Sequence, residues 1–471
     1  MITDRELKLP SGRVITFNEE QYEGLKKIKV WLKNNETFFT LTGPAGSGKS
    51  TIIKKILDNY HRGVVVSAPT HKAVRVISDM CDVEGKTLHA LLGLRPDLDL
   101  ANFSPNFPIF NPIALPKINN YSFVIVDEAS MLNIDLFKLI KEKTENTKTK
   151  ILFLGDNCQI PPVNEKESVV FFQIDIEKHF LTKIERQEDT NPILLVADNI
   201  RNNLTELHEL FKRKTNINDY GDGITFTIEK KEFRKIILDK FISDEFNENI
   251  DYCRGIAWKN ETVMQSNNVV RTSIFGKDSD IVEINDVLTG YRTIMDEKQR
   301  SVIIQNSSDY RVLGKSELEE NPYGIMGYRV KLREGLINGK FKFQDIFIID
   351  TKNHDNLHLY AQMHDFFRDS GKSNKKMWKK YYEFRRCNIL METIDKHQNG
   401  LYRSSYDVIV KDIDYGYFLT CHKVQGSTYK HVGIILSDIE SNWVLKEKNQ
   451  LFYTSLTRPT STATILCNRI D

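Results

Sequence analysis

The chain has 471 residues, with 66 lysines and arginines against 64 acids, and 40% of its residues are hydrophobic. That apolar share can build sizeable cores and excludes wholesale disorder, and at roughly 100–200 residues per domain the length points to three or four compact units. A formal net charge of +2 excludes a uniformly basic, polyanion-coating surface but is compatible with a local basic cleft.

The opening residues Met1 to Glu6 are too charged for a secretory signal, and no apolar run approaches ~18 residues. The six cysteines, Cys81, Cys158, Cys253, Cys387, Cys421 and Cys467, are scattered without zinc-ligand spacing. Reduced thiols in a soluble, cytoplasmic, multidomain protein are the expectation.

In chain order, residues 1–16 read as an amino-terminal arm, with a strand expected through Val14–Phe17. Tyr22, Leu25, Ile28, Trp31 and Leu32 recur at helical spacing. Thr37–Thr42 is β-branched and aromatic and reads as a strand, followed by a glycine-rich turn and a helix with Ile52, Ile53, Ile56, Leu57 and Tyr60 on one side. Short apolar strands follow at 64–66, 123–126 and 151–153. Strands alternating with helices argue an α/β fold with a doubly wound parallel sheet. Between residues 92 and 120 the texture changes to Pro96, Pro105, Pro108, Pro112 and Pro116 interleaved with Phe103, Phe107 and Phe110. No long helix can run through it, so an inserted loop or β-hairpin is expected. Residues 287–350 carry short strands and turns, the pattern of a small inserted β-barrel or sheet. A charged helical segment follows at 354–398, and the last sixty or so residues return to α/β texture, with strands at 432–436 and 463–466.

Gly43-Pro44-Ala45-Gly46-Ser47-Gly48-Lys49-Ser50-Thr51 contains G-x-x-x-x-G-K-[ST] between the predicted strand and helix. The glycines let backbone N–H groups close round phosphates at a helix N-terminus, where the dipole favours anions. Lys49 is placed to reach the β- and γ-phosphates and Ser50 to hold Mg²⁺. Downstream, Phe123–Val126 is an apolar strand ending in Asp127 and Glu128. Asp127 is the candidate for organising Mg²⁺ through its water shell, which leaves Glu128 to orient or deprotonate an attacking water. Together these blocks imply hydrolysis of a nucleoside triphosphate. Further blocks follow strands at 67–73, 87–90 and 155–163, and ligands collect at the carboxyl ends of parallel strands.

On these blocks the chain resembles superfamily 1 DNA helicases, specifically the 5′-to-3′ branch with the phage Dda and RecD-like enzymes. The resemblance implies two RecA-like parallel-sheet domains with an inserted hairpin, or pin, and an inserted barrel of the SH3 type. Its expected boundaries are an ATP-binding motor domain 1 at 17–195 carrying the pin at 92–120, a motor domain 2 at 196–286 and 406–471, and the barrel with its helical basic segment at 287–405. Phe17-Asn18-Glu19-Glu20-Gln21 is similar to the Q motif, which makes Gln21 a reader of adenine. Residues 155–163 are similar to motif III, which puts Gln159 near the γ-phosphate. Leu181–Gln187 is similar to motif IV, with Arg186 as a γ-phosphate contact, 420–428 to motif V, and Tyr453–Arg458 to motif VI, with Arg458 as the arginine finger. The family's single-strand contacts fall on Thr70, His71, Thr87, His89 and His422. Phe103, Phe107 and Phe110 fall on the pin. Trp258 stands where an aromatic stacks on a base, although a core tryptophan is an equal reading. Pro459 departs from the small or basic residue usual after the finger, so the loop there is expected to be shaped differently.

The implied function is ATP- and Mg²⁺-dependent 5′-to-3′ translocation on single-stranded DNA with duplex separation at single-strand/duplex junctions. Expected company is a single-strand-binding protein or replisome component. The chain is expected to act as a monomer, off the membrane, in the cytoplasm of a bacterial host if the source is a phage. Three rivals stand beside it. One is the same motor working as a translocase or remodeller on RNA or DNA. Another is a nucleotide-switched nucleic-acid clamp, which needs neither Glu128 nor Arg458. The third is a metabolic P-loop kinase, which needs no motif at 420–428. The aromatic-basic stretch Lys375–Tyr382 reads either as a nucleic-acid contact or as a solvated helix face.

Overall fold

The computed structural model describes residues 5–8, 14–58, 60, 62–94, 115–162, 165–184, 191–205, 213–295, 302–335, 341–395 and 408–469. Two compact units are present: residues 1–228, 424–428 and 434–471 form the first, and residues 229–423 with 429–433 form the second.

The first unit is organised by a six-stranded sheet in the order Gly85–Thr87, Val64–Ala68, Phe123–Val126, Lys150–Gly155, Phe38–Thr42, Glu177–Phe180. Every neighbouring pair runs parallel. Because side chains alternate across a strand, each strand feeds two cores. Val64, Val66, Ile125, Leu152 and Leu154 pack with Leu25, Ile28, Trp31, Ile52, Ile53 and Ile56, which come from helices Glu19–Trp31 and Lys49–Leu57. Val65, Val124, Val126, Ile151 and Phe153 face the other way, toward Leu88, Leu91, Leu136, Phe137 and Ile140. Helices on both faces and strands apolar on both faces make this the expected doubly wound sheet. Strand Gly223–Thr227, in the same unit, pairs in parallel with Pro459–Leu466 and antiparallel with Asn216–Ile217. The strands Gly85–Thr87 and Glu177–Phe180 were not legible in the sequence, being short and carrying Gly85, Lys86, Glu177 and Lys178.

In the second unit, Cys253–Ala257 pairs in parallel with Phe418–Thr420, so parallel α/β texture occurs in both units. Most of the short strands read between 287 and 350 belong to an antiparallel six-stranded sheet, in the order Glu319–Glu320, Met326–Glu334, Asp309–Lys315, Val287–Gly290, Ile413–Tyr415, with Phe343–Ile349 beside Met326–Glu334, while Val302–Ile304 pairs with Ile294–Met295 apart from it. Strand Phe343–Ile349 again serves two cores. Ile346 and Ile348 pack with Leu288, Val312 and Leu332, while Phe347 and Ile349 pack with Leu357, Tyr360 and Phe384. The last three belong to helices His354–Ser373 and Trp378–Cys387, so the expected helical segment 354–398 is helical only as far as Cys387; Ile394–Asp395 is a short strand and 396–398 lie outside the described residues. Buried ion pairs stitch this unit together. Arg254 meets Asp309 at 2.9 Å, Arg271 meets Asp286 at 3.0 Å, and Arg385 meets Asp412.

The pin segment lies largely outside the described residues, which resume at residue 115, so Phe103, Phe107 and Phe110 are not among them; nor is Arg186. Among the described residues no helix is long and apolar enough to cross a membrane, and all six cysteines are free thiols.

The helical pair carries one pH-sensitive contact. His364 is 5% exposed; its Nε2 accepts from the Tyr381 hydroxyl at 3.1 Å and its Nδ1–H donates to Asp365 at 3.3 Å. Burial, then the Arg385 guanidinium, push the imidazole down to about 3, outweighing the opposite pull of Asp365. The folded ring is therefore neutral, while the unfolded ring takes a proton below its ordinary value near 6.5. This contact's contribution is complete above pH 6.5 and is lost as pH falls from there toward 3, at up to about 1.4 kcal/mol per pH unit. Thermal melts of the wild type and His364→Gln at pH 7.5 and 5.5 should show the variant losing less stability on acidification. Equal losses would rule the contact out.

Candidate nucleotide site

Strand register sets the geometry of the site. Thr42 lies beside Gly155, Ser67 beside Val126, and Ala68 beside Thr87, so these strands end together along one edge. The loops leaving that edge carry residues 43–51, 69–71, 127–128 and 155–159, and the switch-point rule places ligands there.

The phosphate loop leaves Thr42 with the Gly43 N–H donating to Gly155 O at 3.1 Å. Gly46 and Gly48 adopt φ of 81° and 85°, left-handed values that suit glycine. Gly48 caps helix Lys49–Leu57 with no side-chain hydrogen bond, so the first-turn N–H groups have no capping side chain and are available to an anion. Ser47 Oγ is buried without a partner. Lys49 Nζ donates to Gly43 O at 2.6 Å and Pro44 O at 2.9 Å, folding over its own loop. Desolvation pulls its ammonium below the usual lysine value, and Asp156, Asp127 and Glu128 oppose that pull. An uncapped helix start, an orphan hydroxyl and a lysine bonded to loop carbonyls together fit a polyphosphate.

Asp127 and Glu128 follow strand Phe123–Val126. The Asp127 N–H donates to Ser67 O at 2.8 Å, and the Glu128 N–H donates to Asp127 Oδ1 at 2.9 Å. Glu128 holds φ 52° and ψ 40°, a left-handed conformation that is costly outside glycine and clusters at functional sites. Desolvation raises both carboxyls. Glu128 is pushed up to about 7, with the Arg458 guanidinium opposing and Asp127 adding to the rise. Ser50 and Asp127 offer a hydroxyl and a carboxylate, a hard and sparse donor set of the kind Mg²⁺ takes when phosphate and water complete its shell.

Residues 155–160 are tied to helix Leu445–Leu456. Asp156 Oδ2 accepts from the Tyr453 hydroxyl at 2.5 Å, and its Oδ1 accepts from Cys158 N–H at 3.0 Å with Arg201 Nε 3.6 Å away. Gln450 Nε2 donates to Gln159 O at 3.2 Å, and Ile160 N–H to Thr454 Oγ1 at 3.2 Å. Gln425 Nε2 bonds Ser130 Oγ at 3.0 Å and reaches Ile160 O and Gln159 Oε1. Arg458 lies two residues past the end of the same helix, 5% exposed, with its guanidinium donating to Thr454 O, Ser427 O and Thr457 Oγ1 at 2.8–3.1 Å. Pro459 opens strand Pro459–Leu466 directly.

A single cavity of about 620 Å³ is lined by Gln21, Lys49, Ser50, Asp127, Glu128, Gln159 and Arg458, among others, and all of these residues belong to the first unit. Gly46, Gly48, Ala45 and Thr51 line it too. Tyr453, Arg201, Gln425 and Gln450 are the supporting residues that sequence reasoning missed. Tyr453 and Gln425 stood inside recognised blocks; Arg201 gave no signal, since it is one arginine on an ordinary helix, Pro192–Asn202.

Of the expected nucleic-acid contacts, Thr70 and Thr87 cap the helices His71–Cys81 and Leu88–Leu92, accepting from Ala73 and Ala90 N–H. His71 and His89 sit in the first turns of those helices, half-buried. In the second unit, paired Ala257 and Thr420 end neighbouring strands; Trp258, half-buried with the Lys259 ammonium 5.3 Å from its ring, and exposed His422 follow them.

Residues 16–221 match the AAA domain family and residues 415–466 the UvrD-like helicase C-terminal domain family. The chain is 25% identical to an uncharacterized protein of Acanthamoeba polyphaga mimivirus, across 94% of this chain and 98% of that one. It is 26% identical to the ATP-dependent DNA helicase Dda of Enterobacteria phage T4, across 56% of this chain and 58% of that one. A solved Pif1 helicase structure, described in terms of forked-duplex unwinding by two coordinating Pif1 helicases, superposes with a TM-score of 0.52 at 16% identity, covering 97% of this chain and 93% of that one.

Lys49→Ala should bring triphosphate hydrolysis to background while nucleic-acid binding stays measurable. Arg458→Ala should lower turnover roughly a thousandfold with nucleotide affinity changed far less. Phosphate release and fluorescent-nucleotide titration read the two effects, and undiminished hydrolysis by the Lys49 variant would refute the phosphate-loop assignment.

Proposed function

We propose that this homologue of the Dda and Pif1 helicases, in which an AAA domain is joined to a UvrD-like helicase C-terminal domain, is an ATP-dependent DNA helicase that moves 5′ to 3′ on single-stranded DNA and separates duplex at junctions. One observation carries the reading: Lys49, Asp127, Glu128, Gln159 and Arg458 line one cavity.

The reaction follows from what these side chains can do. Loop N–H groups and Lys49, released from the carbonyls of Gly43 and Pro44, hold the β- and γ-phosphates. Ser50 and Asp127 are the residues that would hold Mg²⁺, which supplies charge neutralisation on the phosphates when bound. Glu128, held rigid beside Asp127, orients the attacking water and receives its proton; a carboxyl raised toward neutrality is matched to that task. Arg458 stabilises charge as it spreads over the transferred group. Gln159, and Arg186 from motif IV, sense the γ-phosphate.

Coupling to movement follows the chain. Gly426 and Thr428 line the cavity, and His422 lies a few residues upstream in the same segment, so a change in nucleotide state is passed along the backbone to a strand-contacting position. Thr70, His71, Thr87 and His89, at the ends of two adjacent strands, are placed to hold phosphates without reading sequence, and Trp258 to stack on a base. The reading also takes the sheet of residues 287–349 as the family's SH3-type barrel, residues 92–120 as the separation pin, and the working form as a monomer in a reducing compartment, in keeping with six free thiols.

ATPase rates with and without single-stranded DNA, followed by unwinding of duplexes bearing a 5′ or a 3′ tail, test the proposal. Strong stimulation with unwinding from the 5′ tail alone is expected. Stimulation without unwinding would leave a translocase, and stimulation by RNA alone would move the substrate. Replacing Phe103, Phe107 and Phe110 together with alanine should impair strand separation more than stimulated ATPase. Equal losses would remove the pin assignment.

A further inference from the structure

The segment around His422 is held at two points. Cys421 N–H donates to Ala257 O at 2.9 Å, which ties the segment to the parallel strands of the second unit. Two residues on, the Lys423 ammonium reaches toward the antiparallel sheet of that unit. Its Nζ donates to Gly290 O at 3.0 Å and to Asn306 Oδ1 at 3.2 Å, and it lies 3.8 Å from the centre of the Tyr291 ring. Exposed His422 stands between these two anchors.

The receiving corner is closely built. Gly290 ends strand Val287–Gly290, and the turn that follows Val302–Ile304 lies against it. Gly290 N–H donates to Ser308 O and Ser307 N–H to Gly290 O, both at 2.9 Å. An added Cβ on Gly290 would sit 2.1 Å from Gln305 O. Ser307 closes the turn at φ 64°, a left-handed value that is costly outside glycine and persists where the surroundings enforce it. Tyr291 is fixed by its own N–H on Asp412 O at 2.8 Å. A second ammonium, that of Lys411, lies 4.4 Å from the same ring and is paired with Asp414.

We propose that this corner, with Tyr291 at its centre, is a positioning element for strand contact: it fixes residues 420–423, and so His422, against the body of the second unit. Tied at Cys421 alone, the turn after Thr420 would keep freedom to rock. The ring face and the two oxygens that receive Lys423 remove that freedom, and with it part of the ordering that strand binding would otherwise have to supply. The corner acts whether or not Lys423 also meets a phosphate, since an ammonium has three N–H donors.

This inference rests on the helicase reading above, and its test keeps the two apart. Tyr291→Leu, Tyr291→Phe, Lys423→Met and the Tyr291→Leu/Lys423→Met double variant are compared with wild type in the full chain, with melting curves to confirm folding. Hydrogen exchange is followed without nucleic acid in peptides spanning 418–424, with 326–334 as an internal control. The oligo-dT concentration that half-maximally stimulates ATPase is measured beside it. Tyr291→Leu should speed exchange at 418–424 but not at 326–334, and should raise the half-maximal concentration roughly three- to tenfold, the scale of one cation–π contact. Tyr291→Phe keeps the ring face and should match wild type in both. The double variant should be no worse than Lys423→Met, because the two side chains act through one contact. Wild-type exchange in Tyr291→Leu would overturn the proposal, as would faster exchange with an unchanged half-maximal concentration, or additive losses in the double variant. A wild type that oligo-dT fails to stimulate would instead bring down the helicase reading, and the exchange comparison would still decide whether Tyr291 holds the segment.

Discussion

The nucleotide cavity depends on one constraint, the register of the parallel strands in the first unit. Parallel pairing requires crossover helices, and those helices cover both faces of the sheet and leave its carboxyl edge open. Thr42 level with Gly155, and Ser67 level with Val126, deliver a glycine loop, two carboxylates and the 155–160 segment to one place. A slip of one residue would send every strand side chain to the wrong face. Leu152 would leave the core it shares with Ile52 and Ile56, and Phe153 the one it shares with Phe137. The two hydrophobic cores thus fix the chemistry indirectly, by forbidding any other alignment of the strand ends.

A second layer of interactions joins residues 155–160 to helix Leu445–Leu456. Asp156, nearly fully buried, carries polar oxygens that need hydrogen-bond partners away from water. It has them in Tyr453, Cys158 N–H and Arg201. Gln450, Thr454 and Gln425 add neutral bonds to Gln159 and Ile160. Each such bond contributes about 1 kcal/mol net, those to the charged group about twice that. Segment and helix are therefore held to one another by several bonds, and Arg458, two residues past the helix end, is carried with them.

Much of this was legible in the sequence, for physical reasons that differ by element. Strands 38–42, 64–68, 123–126 and 150–155 are doubly buried and therefore continuously apolar; glycines at 46 and 48 advertise left-handed turns; Asp127 and Glu128 stand out because two acids end an apolar run. Arg201, Gln425 and Gln450 were illegible as supports because nothing in a solitary polar residue on a helix says which distant backbone it will meet. Gln21 shows the intermediate case. Its motif marked the right place, but the atoms it touches, Asn18 N–H and Ser47 O, depend on where a helix start lands against a loop, and only the fold decides that.

Glu128 shows how the parts bear on one another. A glutamate at φ 52° costs on the order of 1 kcal/mol or more relative to an ordinary conformation, and desolvation penalises its charge as well. Neither cost would persist in a free loop. Both are offset because the preceding residue is anchored by Asp127 N–H on Ser67 O and the following turn by Ser168 Oγ on Ala129 O at 2.8 Å, so the backbone cannot relax without breaking the sheet edge. What the fold gains is a carboxylate of fixed direction whose proton affinity lies near neutrality, beside a buried arginine that lowers that affinity by its mere proximity. Under the proposed mechanism, whatever moves Arg458 relative to Glu128 changes the proton affinity of that carboxyl as well as the charge Arg458 offers to the transferred group.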